Sequence, residues 1–395
     1  MFSLYLPISW MICFHQNSLV KMEEINILFT GDFCPHNRIE ALSKEGNNAA
    51  IFNDFIDVFK GNDLNVTDVE CPLTESKKRI PKTGPYQFAA PHNVGILKYA
   101  GIGLAAMANN HIMDCDAEGA LDTIGLCREA GIATVGIGSS AAERRTPFST
   151  IIKGKKIAII NFAENEFIAA PGGEVAANPL HLVNNYYDIT AAKKEHDFVL
   201  LLVHGGNEFY HLPSPRVKET YRFFIDIGAD AVISNHTHCF SGYEIYNGKP
   251  IFYSLGNFIY DWPERINTDW NIGFVVKLKI TDTIDFDIIP LKQNNEVPGI
   301  FHLNETEKKL FDEKLVQLSS IIRDDTKLAG AFNDYCSSKK RLYEAFIEPY
   351  FGNAIASLRA RGFFPKLMNK RKRLLLLNIT RCEAHRDVLL NLLSK

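Results

Sequence analysis

Strong net charge is the first thing missing from this chain. Its 395 residues carry 43 Lys and Arg against 46 Asp and Glu, a formal net charge of -3, so no global field directs it to nucleic acid. Cysteine is sparse and unpatterned. The eight positions 13, 34, 71, 115, 127, 239, 336 and 382 contain no Cys-x-x-Cys pair and no regular framework, which reads as reduced thiols in a reducing, cytoplasmic compartment. Long hydrophobic runs are missing as well. The N-terminal MFSLYLPISWMICFHQNSLVK has no Lys or Arg ahead of its apolar stretch and is interrupted by Pro7 and by His15-Gln16-Asn17, so it matches neither a secretory signal nor a membrane span. Met22 opens a fresh start, MEEINILFTGD, and residues 1–22 read as an N-terminal extension. Internal repeats and low-complexity segments are absent too.

What is present is a 46% hydrophobic chain, enough for a large core. From Glu23 onward short β-branched runs alternate with helical patterns, as in a parallel or mixed sheet covered by helices. INILFT, LNVTDVE, GLAAMANN and IATVGIG read as strands, NNAAIFNDFIDVFK and DAEGALDTIGLCREAG as helices. TIIKGKKIAIINF predicts a hairpin at Lys153-Gly154-Lys155, and Asn247-Gly248 a second. The expected organisation is one α/β domain over residues 23–298 and a helical region over 299–395.

The chemistry collects at the strand ends. Six strands end on Asp32, Glu70, Asn110-His111, Glu164, His204 and His236/His238, and ligands of open α/β sheets bind beyond the carboxyl ends of strands. Alternation along a strand places His236 and His238 on one side, able to reach one cation or two adjacent ones. Hard carboxylates mixed with imidazoles suit Mn, Fe or Zn. Glu164, Glu166 and Glu208 are candidates for orienting a substrate.

At these residues the chain resembles the CapA family of poly-γ-glutamate capsule proteins, within the calcineurin-like metallophosphoesterases. The resemblance rests on FTGDF, VTDVECPLT, MANNHIMDCDAEGALDT, LLVHGGNEFYHLPSP, GADAVISNHTH and YSLGNFIYD, in family order over roughly residues 25–262. It implies a four-layer α/β/β/α sandwich with a C-terminal helical appendage and two divalent metals. Asp32 and His238 would hold one metal, Asn110, His204 and His236 the other, Glu70 would bridge them, and His111 would be the outer acid. The Asp-x-His of the wider superfamily is here Asp32-Phe33-Cys34, leaving Cys34, His36 or water to complete the first ion's ligands. The implied activity is hydrolysis or transfer through a metal-activated water, at an amide or phosphoester bond of a cell-surface polymer or its precursor. The competing expectation is a non-catalytic accessory subunit of a polymer-synthesis complex.

The region past 300 has helical spacing, with Asn304 and Glu307 as a helix start. Arg359, Arg361, Lys366 and Lys370 to Arg373 surround Phe363-Phe364 and precede Leu374 to Leu377. Such a basic, apolar-flanked cluster can hold a protein peripherally on the anionic inner face of a membrane.

Overall fold

The computed structural model describes residues 23–170, 173–347 and 369–393. The N-terminal extension lies outside the described residues, as do Arg359, Arg361, Phe363, Phe364 and Lys366 of the basic cluster.

Four parallel strands open the chain and pair in sequence order: β1 (Ile25–Cys34), β2 (Leu64–Val69), β3 (Leu104–Ala106) and β4 (Ala133–Val135). NNAAIFNDFIDVFK is not one helix. It forms a short α-helix, Asn48–Phe52, that tightens into a 3-10 helix, Asn53–Phe59; Asn53, at φ 49°, makes the break. The helix Asp116–Glu129 forms as expected and closes ahead of Gly131 at φ 76°. IATVGIG is divided at Gly136 (φ 86°) into β4 and the short β5 (Ile137–Gly138).

A second sheet follows from β6 (Phe148–Ile152), β7 (Lys155–Ala163), β9 (Phe198–His204), β10 (Ala231–Asn235), β11 (Tyr243–Tyr246) and β12 (Lys249–Phe252), while β8 (Ala176–Ala177) pairs back with β5. Its order is β11-β12-β10-β9-β7-β6. The inner four strands are parallel and nearly all apolar, as strands covered on both faces must be. Both edges are closed by the expected hairpins, whose turn residues Lys153-Gly154 and Asn247-Gly248 all have positive φ. The chain then returns to the first sheet as β13 (Asn257–Tyr260), β14 (Ile272–Ile280), β15 (Ile284–Gln293) and β16 (Ile300–His302). That sheet runs β16-β15-β14-β1-β2-β3-β4, with β13 beside the end of β1.

Alternation along β1 divides the core. Ile27 and Phe29 join Ile159, Leu200 and Val232 of the second sheet, whereas Leu28 joins Phe52, Phe55 and Leu97 of the helical crossings. The two sheets therefore share one face-to-face core. The helix Glu305–Arg323 starts at the expected Asn304–Glu307 capping box and sends Phe311, Leu315, Leu318 and Ile322 into the same core. The first sheet thus continues past residue 298, and the first C-terminal helix packs on the core that both sheets share.

Candidate metal centre

Strand ends from both sheets meet at one place. Asp32 lies on β1, where the register shifts beside Asn257 of β13. Gly31 permits this: a Cβ there would stand 1.8 Å from the Gly256 carbonyl oxygen, so only glycine lets the two backbones approach. Glu70 follows β2, Asn109-Asn110-His111 follow β3, and His204 is the last residue of β9. His236 and His238 lie past the end of β10 at Asn235, not on the strand. Strand alternation therefore does not orient them. Their backbones take φ 104° and 57°, a region costly for residues with a Cβ and typical of functional sites.

The side chains converge closely. Asp32, Glu70 and His238 offer ligand atoms within 4.8 Å of one another, and so do Glu70, His204 and His236. Glu70 belongs to both groups: its Oε1 is 3.6 Å from His204 Nε2 and 3.6 Å from His238 Nε2. Asn110 Oδ1 lies 2.9 Å from His204 Nε2, and His236 Nδ1 3.1 Å from the same atom. Among the described residues neither carboxylate oxygen of Glu70 has a hydrogen-bond partner, nor does Asp32 Oδ1, although both side chains are fully buried. Uncompensated buried carboxylates are expensive. Burial, then Asp32 and Asp68, push the Glu70 carboxyl well above its ordinary range. A cation set among these oxygens and imidazoles satisfies all of them, so the residues present fit a metal.

Further side chains, not singled out from the sequence, orient the imidazoles. Asp68 Oδ2 is 2.8 Å from His204 Nδ1, and Asn257 Oδ1 is 3.0 Å from His238 Nδ1. In each ring the opposite nitrogen is left facing Glu70, the arrangement by which metal-binding histidines are fixed in tautomer and direction. Asn109 ties the loop down by donating to Asp68 Oδ1 and the Val69 carbonyl and accepting from the His111 and Ile112 N–H groups. Burial opposes a charge on His204, but Asp68 and Asp32 outweigh it and raise its pKa. Burial and His204 drive His236 well down.

Other expected residues fall differently. His111 donates Nδ1–H to Asp114 (2.7 Å), which Lys82 also contacts at 2.6 Å; burial and the Lys82 charge push His111 down to about 4. Glu208 lines the cavity at the site. Glu164 does not: Arg216 Nη2 holds it at 2.5 Å and the Gly206 N–H at 3.1 Å. Glu166 takes the place at the cavity. Cys34 is fully buried, its thiol raised well above the usual range by burial and by Cys71. His36 is held by Asn37 at 2.7 Å and packs edge-on to Tyr260. Neither belongs to the carboxylate–imidazole groups.

The site opens into a cavity of about 1030 Å³ lined by Asn110, His111 and His236 on one side and by Tyr335, Tyr343, Lys370, Arg371 and His385 of the C-terminal helices on another. The described cysteines are buried, and no described helix is long and apolar enough to cross a membrane.

Fold and site together define a mixed α/β protein with a buried carboxylate–imidazole centre able to hold metal. Residues 26–262 match the family described as bacterial capsule synthesis protein PGA_cap, and the chain belongs to that family. It is 28% identical over 300 residues to the PGA biosynthesis protein CapA of Bacillus subtilis, covering 74% of this chain and 78% of that one. It is 28% identical over 281 residues to the capsule biosynthesis protein CapA of Bacillus anthracis, covering 68% and 67%. A crystal structure of a hypothetical protein from Thermus thermophilus overlays with a TM-score of 0.41 at 13% identity, covering 67% of this chain and 99% of its own.

Proposed function

We propose that this protein is a metal-dependent hydrolase or group transferase of capsule or cell-surface polymer synthesis, of the poly-γ-glutamate type, built as the four-layer α/β/β/α sandwich of the calcineurin-like metallophosphoesterases. The observation that carries the reading is Glu70, fully buried, without a hydrogen-bond partner among the described residues, and common to two ligand groups. Two divalent ions, Mn, Fe or Zn, would be held by Asp32 and His238 and by Asn110, His204 and His236, with Glu70 shared. Such a pair supplies Lewis-acid polarisation and a water of lowered pKa.

The chain's own residues do the rest. Asp68 and Asn257 aim His204 and His238. His111, with its Nδ1 proton committed to Asp114, keeps Nε2 free to accept a proton and afterwards return it to a leaving group. Lys82, Lys339, Lys370 and Arg371 line the cavity and would favour an anionic polymer chain. The test is to strip the protein of metal, reload it with Mn²⁺, Fe²⁺ or Zn²⁺, measure metal content, and assay aryl phosphodiesters and γ-glutamyl amides. Metal uptake with turnover of either class is expected. Uptake without turnover makes the protein a non-catalytic accessory subunit, and no uptake overturns the reading.

A further inference from the structure

The last helix, Glu383–Leu393, lies beyond the family match at residues 26–262, yet its N-terminal half is fastened to the loop after β7 and to the start of the helix Pro215–Asp226. Glu383 accepts from the Asn165 backbone N–H at 2.9 Å and from its Nδ2 at 2.7 Å. Asp387 accepts from Arg216 Nε at 2.7 Å and Ser214 Oγ at 2.9 Å. Between them, His385 Nε2 is 3.1 Å from Glu166 Oε1, and its Nδ1 is 2.7 Å from Tyr343 Oη. Asn378 Nδ2 donates to the same Glu166 oxygen at 2.9 Å. The other oxygen of Glu166 faces His236 Nε2 at 3.8 Å.

We infer that Glu166 and His385 are positioning residues of the metal centre: Glu166 orients His236, and His385, with Asn378, holds Glu166 in place. The inference rests on the metal reading above. His204 and His238 each have a partner on the nitrogen turned away from Glu70, namely Asp68 and Asn257. His236 has its Nδ1 turned to His204, and Glu166 is the carboxylate in front of its other nitrogen. His236 sits past the strand end at φ 104°, where no sheet pairing fixes its ring, so its direction depends on the groups around it. Partners of this kind change metal affinity by roughly 10–100-fold when removed. The C-terminal helices are thereby a wall of the site, supplying to it a group that the family-matched part does not contain.

The experiment titrates Co²⁺ into the metal-free full chain and reads both affinity and the visible absorption of the bound ion, for wild type, His385→Ala, His385→Gln and Glu166→Gln. His385→Ala and Glu166→Gln should weaken Co²⁺ binding by roughly 10–100-fold and alter the spectrum. His385→Gln, whose amide N–H can still donate to Glu166, should recover most of the loss. Melting of the metal-free proteins reports folding, and Glu166→Gln, close to isosteric, keeps the test usable where His385→Ala does not fold. Unchanged affinity and spectrum in Glu166→Gln and in every folded His385 variant overturn the inference and leave the metal reading standing. Equal losses in His385→Ala and His385→Gln, with lowered melting of both, make the role structural and overturn it as well. A wild type that takes up no Co²⁺ overturns the metal reading itself.

Discussion

Three carboxylates, Asp32, Asp68 and Glu70, are buried within one site, and only Asp68 has close hydrogen-bond partners for both of its oxygens. Like charges out of water repel strongly, so the residues that make the centre useful also destabilise it without a cation. Glu70→Gln removes the ionisable carboxyl, and with it the cost of burying it, while keeping the shape. In the presence of a chelator this variant should melt above wild type, whereas its metal content after reloading should fall to background; calorimetry and elemental analysis check the two halves separately. His111 is placed for a different task. It lines the cavity but is held by Asp114, which Lys82 holds in turn, so His111→Ala should keep its metal and lose roughly 10²–10⁴-fold in turnover. Loss of metal in that variant would make His111 a ligand and remove its proton-transfer role.

Between elements, the loop after β9 is pinned by His211. Its Nδ1 lies 2.7 Å from the Phe240 carbonyl oxygen and its Nε2 2.8 Å from Asp269, whose other oxygen accepts from Lys314 of the helix Glu305–Arg323 at 3.0 Å. Burial pushes His211 down, but Asp269, Cys239 and the Phe240 carbonyl outweigh it and raise its pKa from 6.5 to about 10. The folded value lies above the ordinary one, so the folded state binds this proton more tightly. Its stabilisation is complete below the ordinary value and is lost as pH rises from there through the folded value. Melting temperature should accordingly decline across that interval. In Asp269→Asn the decline should be flatter and the melting temperature near pH 7 lower; a pH series of thermal melts on both proteins is the check, and parallel curves would remove His211 from the account.

For the whole molecule, the described part of the basic cluster has a defined position. Lys370 and Arg371 begin the helix Lys370–Arg381 and line the same cavity as His236. Changing Lys370, Arg371, Lys372 and Arg373 together to Ser should weaken binding of soluble poly-γ-glutamate, and the wild-type binding should fall as salt rises, because attraction between exposed charges is screened. Polymer binding that survives the change, together with loss of binding to anionic vesicles, would assign the cluster to a membrane surface instead.

The sequence by itself determined which polar residues could gather at one edge of the sheets. Apolar runs ending on Asp, Glu, Asn or His locate Glu70 and His204 at strand ends, while β3 stops at Ala106 and leaves Asn110 in the loop beyond it; spacing within a run is enough for the first two, since parallel strands deliver their last residues to one edge. Turn chemistry was equally local: the Asn247-Gly248 hairpin and the Asn304–Glu307 cap depend on neighbours only. Tertiary structure alone decided who supports whom. Glu164 and Glu166 are equivalent in sequence, yet one is drawn to Arg216 and the other faces the cavity. His236 and His238 look like a strand pair but are aimed by a strained loop. His385 reaches Glu166 across 219 residues, and Asp68 reaches His204 across 136. No periodicity encodes such pairs. They exist because burying the sheets and C-terminal helices against one another brings distant polar groups out of water, where each must find a partner.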